Sequence, residues 1–458
     1  MKPQLRALLG LTAISAFFLF WLGFQFFVPD PDRLYHLAIS REVAMRGPVL
    51  ANIPQAEDIG WARYFPEKEF LHHVFTGLGF YLGKENGAAA ASHSIALSVL
   101  LLVFWISSRV SKHRQAFFLT AVFVLSPFFL SRIAQMKPFE WGVFSLLLIL
   151  FGFQRNSRWL SALGGMIFSL SYHLLPMPLA FIGCFALFEW RSLASRKLAL
   201  FALLGLFVGI LANPYFPSNL ATAWQILWIG WRSATAPDLN FGIELLRLDL
   251  KTWLLFFGVP AAFSLWAIIK GKAPLYLRAF TLLLWFIAYL SPRGVEYALP
   301  FSAILLAFAL PNFAKTLRRA VYVLGCVFFM AQYWMYLRQT QNFEFVFFQQ
   351  RHNEIIEAVK TIPGESGKKV FHCGWEHGPY VFYLRPDLRF VDLLDPSYLY
   401  LHDKAKWETR KQIKSGVNSA KLAIEVFDAD YLLCDSALKY LKPIYHGKSN
   451  MVFLYKLR

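Results

Sequence analysis

The segment Asp30-Pro31-Asp32-Arg33-Leu34-Tyr35-His36 sets two carboxylates beside an aromatic ring and an imidazole. Two carboxylates so close can share a divalent cation, or one can take a proton from an attacking nucleophile. The plain alternative is a helix start, where Asp satisfies free backbone N–H groups. Asp30 fits that role; Asp32 can fill either. A second acid-rich segment, Glu67-Lys68-Glu69-Phe70-Leu71-His72-His73, puts Glu69, His72 and His73 within one turn of a helix. Metal binding there competes with an amphipathic surface helix whose polar face is in water, and the latter is expected for the histidines. Glu140 opens an apolar stretch, as a reactive acid or as a carboxylate favoured by the helix dipole. In Ser291-Pro292-Arg293-Gly294-Val295-Glu296, Arg293 can clamp a phosphate bidentately or pair with Glu296 to hold a turn.

These residues punctuate a very apolar chain. It has 458 residues, 57% hydrophobic and 18% aromatic, with mean hydropathy +0.43. Soluble proteins of this length carry more polar surface. Apolar runs fall at Leu8–Phe27, Ala88–Ile106, Ala116–Leu130, Phe139–Phe153, Trp159–Tyr172, Leu174–Phe188, Leu198–Ala212, Trp253–Ile269, Leu275–Leu290, Tyr297–Leu310 and Val321–Tyr336. This predicts about eleven membrane spans, the shorter ones completed by flanking aromatics. Phe70–Leu82 is too short to span and predicts an interfacial or re-entrant helix. The first run lacks a signal-peptide cleavage site and is expected to be retained.

The net charge of +18 does not point to nucleic acid. Much of the excess sits in short acid-free loops: Lys2 and Arg6; Arg109, Lys112 and Arg114; Arg155 and Arg158; Arg191, Arg196 and Lys197; Lys270 and Lys272; Lys315, Arg318 and Arg319. They alternate with loops that hold the acids. Basic loops mark the cytoplasmic side. The N-terminus is therefore expected in the cytoplasm, with the acids and the C-terminus on the other side. Two loops of that far side are long, 29–87 and 213–251, and the second carries the tryptophan-rich run Trp224–Trp231, suited to a helix on the membrane surface or to a lid.

After Tyr336 the composition turns soluble. We expect residues 1–337 to form a transmembrane domain and 338–458 a small α/β domain, with helices at Glu354–Ile362, Lys404–Lys414 and Ala420–Phe427, and strands at Lys369–Cys373, Tyr431–Cys434 and Met451–Tyr455. Of the four cysteines, Cys184 and Cys326 lie in apolar runs. Cys373 and Cys434 end expected strands, and a disulfide between them is permitted in an oxidising compartment.

Taken together these motifs resemble the GT-C membrane glycosyltransferases, above all the oligosaccharyltransferase catalytic subunit, and a broader group of bacterial polyprenyl-phosphate-sugar glycosyltransferases. Asp32-Arg33-Leu34-Tyr35-His36 resembles the acid, Tyr and His that follow the first span in that class. Ser131-Arg132-Ile133-Ala134 and the later Glu140 resemble the family's second acid motif, but Lys137 and Pro138 stand where an Asp is expected. Gly374-Trp375-Glu376-His377-Gly378 retains a Trp, an acid and a Gly of the acceptor-recognition motif. The resemblance implies catalytic roles for Asp32, Glu140 and Glu69. It implies substrate or phosphate contacts for Arg293, Tyr35, His36, Glu296, Trp375 and Glu376, and a Mg²⁺ or Mn²⁺ ion on Asp32 and Glu140. It also implies a polyprenyl-phosphate- or diphosphate-linked sugar donor, an inverting transfer at the outer face of a bacterial inner membrane, and membrane lipid as surroundings. Two rival readings remain: a lipid or polysaccharide transporter or flippase, which would favour mid-span acids and internal repeats absent here, and a GT-C-like scaffold that has lost its chemistry.

Overall fold

The structure, a computed structural model of the chain, describes residues 3–24, 30–233, 247–312, 314–340, 343–393, 397–416 and 419–458. The end of the first apolar run, and Pro237, Asp238 and Glu244 of the second long loop, lie outside them.

Each apolar run lies on a helix or, once, on a bent pair. The elements are α1 (Pro3–Phe24), α2 (Pro31–Arg46), α3 (Phe70–Val110), α4 (His113–Val124), α5 (Pro127–Ile133), α6 (Phe139–Arg155), α7 (Arg158–Ser171), α8 (Pro176–Glu189), α9 (Leu193–Ala212), α10 (Ser218–Ser233), α11 (Leu250–Lys270), α12 (Leu275–Leu290), α13 (Val295–Ala309) and α14 (Lys315–Thr340). Among the described residues, α1, α3, α9, α11 and α14 are long and apolar enough to cross a membrane, and α4 with α5, bent by 72°, is a sixth candidate if counted as one broken span. Helices α6, α7, α8, α12 and α13 are shorter. Their apolar side chains merge into one continuous core with those of the longer helices.

The run expected as a separate interfacial helix forms the first arm of α3. The arm ends at Gly83–Lys84, where the backbone leaves helical geometry and Lys84 takes φ 52°. The chain then folds back on itself. A side chain on Gly79 would meet the Gly87 carbonyl oxygen at 2.4 Å, a contact impossible in a straight helix rising 1.5 Å per residue. Only residues without a Cβ permit this approach.

The C-terminal part is α/β, as expected. Helix α15 (Phe343–Thr361) leads into β1 (Lys369–His372), α16 (Gly378–Leu384), β2 (Arg389–Phe390), α17 (Ser397–His402), α18 (Lys404–Lys414), α19 (Ser419–Phe427), β3 (Tyr431–Cys434), β4 (Tyr445–His446) and β5 (Phe453–Lys456). The sheet order is β2-β1-β3-β5-β4. β1 runs parallel to β2 and β3, and β5 is antiparallel to β3 and β4. A disulfide joins Cys373 and Cys434, Cα atoms 4.8 Å apart, at the carboxyl ends of β1 and β3.

This part does not stand apart from the membrane helices. Its core continues into α2 and the first long loop through Tyr35, Ile39, Ile53, Trp61 and Phe65, and takes in Tyr215 of the second long loop. Arg41 of α2 donates to the Phe382 and Tyr383 carbonyls of α16 at 2.9 and 2.7 Å. Asp58 pairs with Lys369 at 2.7 Å, both side chains buried. Both long loops and the C-terminal sheet thus share one end of the molecule.

Candidate active site

Asp30 caps α2. Its carboxylate accepts the Asp32 backbone N–H at 2.9 Å, and Pro31 occupies the first helical position, where no N–H is needed. That leaves the Asp32 carboxylate on the first turn. Lys137 meets both acids, its Nζ 2.7 Å from Asp32 and 3.1 Å from Asp30, with the lysine side chain only 7% exposed. The short loop between α5 and α6 delivers it. A lysine thus sits where the sequence suggested a missing acid, and its ammonium takes the place a divalent cation would take between the carboxylates.

Glu140, three residues on, is fully buried. Both its carboxylate oxygens accept from Ser92 Oγ of α3 at 3.2 Å. Three groups of described His, Cys, Asp and Glu residues lie close enough to share an ion: His36, His72 and His73; Glu67, Glu69 and His73; Glu376, His377 and Asp435. Asp32 and Glu140 are in none of them. The donor set expected for Mg²⁺ or Mn²⁺, several oxygens around one point, is not assembled at Asp32, where an ammonium stands.

Glu69 lies just ahead of α3, buried, and accepts from His173 Nδ1 at 3.1 Å, with Lys68 at 3.9 Å. Burial alone would raise its pKa, but Lys68 and His173 outweigh it and hold the carboxyl well below the usual range. Lys68 and His173 also line a cleft with Tyr172, Leu175 and the α10 residues Asn219 and Ala223. Arg293, in the 3₁₀ turn between α12 and α13, acts electrostatically on both Tyr172 and His173. Three cationic or protonatable groups therefore meet near one cleft: Lys68, His173 and Arg293. Glu296 holds Arg132 of α5, at 2.6 and 2.7 Å, so the turn-holding partner of Glu296 comes from a different helix. Lys68 and Arg132 lie in the quoted segments but were given no role from the sequence, and His173 was not singled out. The one signal for His173 was an imidazole between two apolar runs.

Tyr35 and His36 are 2% and 3% exposed. Tyr35 packs into the outer core, and His36 faces His73, with 2.8 Å between Nδ1 and Nε2. Neither lines the cleft. The water-facing reading of His72 and His73 also fails: they are 0% and 1% exposed, because the reversal at Gly83–Lys84 tucks the first arm of α3 against α2.

Trp375 and Glu376 form a 3₁₀ turn after β1, at the carboxyl end of the parallel strands. Glu376 and Asp435 converge on Arg351 of α15 at 2.9 and 2.6 Å, and His377 is 3.1 Å from Asp435. Burial opposes ionisation of Asp435, but His377 and Arg351 prevail and keep its carboxyl far below the ordinary value. The charge of Asp30 reaches His352 and Tyr380 beside this cluster, so the C-terminal cluster and the acid pair are neighbours.

The fold matches known structures. ArnT from Cupriavidus metallidurans superposes in its apo state with TM-score 0.58 at 16% identity, over 94% of this chain and 93% of that one. The same protein bound to undecaprenyl phosphate gives TM-score 0.57 at 13% identity, over 98% of each chain. The Archaeoglobus fulgidus oligosaccharyltransferase, in complex with Zn and sulfate, gives TM-score 0.53 at 12% identity, over 94% of this chain and 70% of that one. The chain has a GT-C-like fold. No family model and no curated protein matches the sequence. The GT-C-like fold accounts for a membrane bundle that holds acids at one end beneath a small α/β domain.

Proposed function

We propose that the protein is a membrane glycosyltransferase that moves a sugar from a polyprenyl-linked donor to an acceptor at the outer face of a bacterial inner membrane. The observation that carries this reading is the acid pair at the start of α2, linked through Lys137, His36 and Glu69 to the cleft of Lys68 and His173 by successive electrostatic contacts. Asp32 accepts the proton of the attacking acceptor group. That group bonds to the anomeric carbon as the sugar–phosphate bond breaks. The bonding pair leaves with the polyprenyl phosphate, whose growing charge Arg293 and Lys68 offset. Attack opposite the phosphate inverts the anomeric centre.

No step requires a metal at Asp32. Lys137 supplies a fixed positive charge that orients the acid pair. Glu140, hydrogen-bonded to Ser92, anchors the start of α6 behind Lys137. Trp375 and Glu376, near Asp30, stand where an acceptor would approach. The fold neighbour bound to undecaprenyl phosphate supports a lipid phosphate as the leaving group. A transporter needs ionisable groups along a path between two faces, whereas the groups described here collect at one end.

The phosphate role is tested by binding undecaprenyl phosphate to the detergent-purified full chain. Arg293→Lys should weaken binding at least about 10-fold, because a point ammonium cannot reproduce a bidentate fork. Binding unchanged in Arg293→Lys and in Arg293→Gln would remove Arg293 from the phosphate site.

A further inference from the structure

Behind the acid pair, one turn further along α2, three imidazoles close on a point that the proposed reaction does not use. The ring centroids of His36, His72 and His73 lie 5.0, 5.0 and 5.2 Å apart. One nitrogen from each lies within 4.8 Å of the others. We propose that these three histidines bind a zinc ion that staples α2 to the first arm of α3.

His72 makes the case. It is fully buried, and neither ring nitrogen has a hydrogen-bond partner among the described residues. The Met136 backbone acts on the ring without meeting hydrogen-bond geometry. A buried polar atom left unmade costs about 1–3 kcal/mol, and a leucine or phenylalanine here would avoid that cost. An ion that takes a nitrogen lone pair removes it.

The His73 tautomer suits the same end. Glu67 accepts from His73 Nδ1 at 2.8 Å and is itself held by the Glu69 backbone N–H at 2.7 Å. The proton on Nδ1 leaves the His73 lone pair on Nε2, the atom that faces His36. A carboxylate behind a ligating histidine is the usual outer partner of a zinc site. Zinc binds imidazole nitrogen at about 2.0–2.1 Å, which sets nitrogens about 3.3 Å apart in a tetrahedral site. His36 Nδ1 donates to His73 Nε2 at 2.8 Å; the ion would replace that bond as His36 shifts its proton to Nε2 and His72 closes in. Glu67 and Glu69 supply the negative charge that three neutral rings lack, each with a carboxylate oxygen within 4.8 Å of a His73 nitrogen. Three imidazoles select zinc or a similar ion over Mg²⁺ or Mn²⁺, which prefer oxygen.

The full chain, purified in detergent with a tag free of histidine, should contain about one zinc per molecule by elemental analysis. After chelator treatment, Co²⁺ should restore the ligand-field bands of a tetrahedral site. Glu67→Gln should weaken Co²⁺ binding about 10–100-fold with the fold retained. His72→Gln should abolish the bands, and Asp32→Asn should leave them intact. Zinc absent from the wild-type chain together with no tetrahedral cobalt spectrum would overturn the proposal. So would a cobalt spectrum that survives His72→Gln but is lost in Asp32→Asn, which would place the ion on the acid pair instead.

Discussion

Lys137 carries the largest departure from what the sequence suggested. Read along the chain, it is a basic residue where an acid was expected, which says only that an acid is missing. In space it is the counterion of Asp30 and Asp32, at 3.1 and 2.7 Å. A fixed ammonium cannot change its coordination as a metal can, and it brings one charge in place of two. Lys137→Gln should therefore lower the rate of sugar transfer by about 10²–10³-fold, the loss typical of removing one preorganised electrostatic group. Steady-state transfer rates with saturating donor would show it, and a variant within about 3-fold of wild type, the noise of such assays, would remove Lys137 from the centre. The acids were legible because Asp, Pro and Asp at a span's end are rare and costly. Their partner was not, since nothing in the spacing of residues 30 and 137 says that the α5–α6 loop reaches the first turn of α2.

At the scale of elements, legibility followed periodicity. Long apolar runs located the membrane helices, and α18 and β3 fell on Lys404–Lys414 and Tyr431–Cys434 as expected. The two-residue strands β2 and β4 and the short helices α16 and α17 have no period to read. The histidine nest was hidden for another reason: it depends on the α3 reversal and on the glycine contact that closes it. The C-terminal sheet carries a pH signature of its own. Burial, and then Arg410, push the His372 imidazole down to about 3, where it faces His377, Gly374 and Asp392. Burial, and then Arg351, push His352 down to about 4, beside Asp30, His377, Glu376 and Tyr380. Both rings are neutral when folded and take up protons on unfolding below the ordinary imidazole value of about 6.5. Their contribution is complete above that pH and is lost as pH falls towards 4, by up to about 1.4 kcal/mol per pH unit for each ring. Near-UV circular dichroism melts from pH 7 to pH 5 should show a falling midpoint. A midpoint flat over that range, in the wild type and in His372→Gln alike, would contradict the buried-neutral state.

At the scale of the whole molecule, the C-terminal part acts as a roof whose attachment is built into the first long loop. Asp58 is the joint, 1% exposed and paired with Lys369 across the boundary. Removing one member of a buried pair strands the other charge and costs about 3–5 kcal/mol. Asp58→Ala should speed limited proteolysis between residues 343 and 361, with the membrane helices still protected; an unchanged cleavage rate would show that the apolar core alone holds the roof. That attachment places the C-terminal cluster of Glu376, His377 and Asp435 beside His352 and Tyr380, which the charge of Asp30 reaches. Asp32 is the residue proposed to perform sugar transfer from a polyprenyl carrier. Mass spectrometry of the lipid carriers from cells lacking the protein, complemented with the wild-type chain or with Asp32→Asn, tests it most directly. The substitution keeps the shape of the side chain and removes its charge. We expect one sugar-loaded polyprenyl species to be consumed with the wild-type chain and to accumulate equally in the deletion and in Asp32→Asn, with the variant present at normal abundance in the membrane. Full consumption of that species by Asp32→Asn, or no carrier that differs between deletion and wild type, would contradict it.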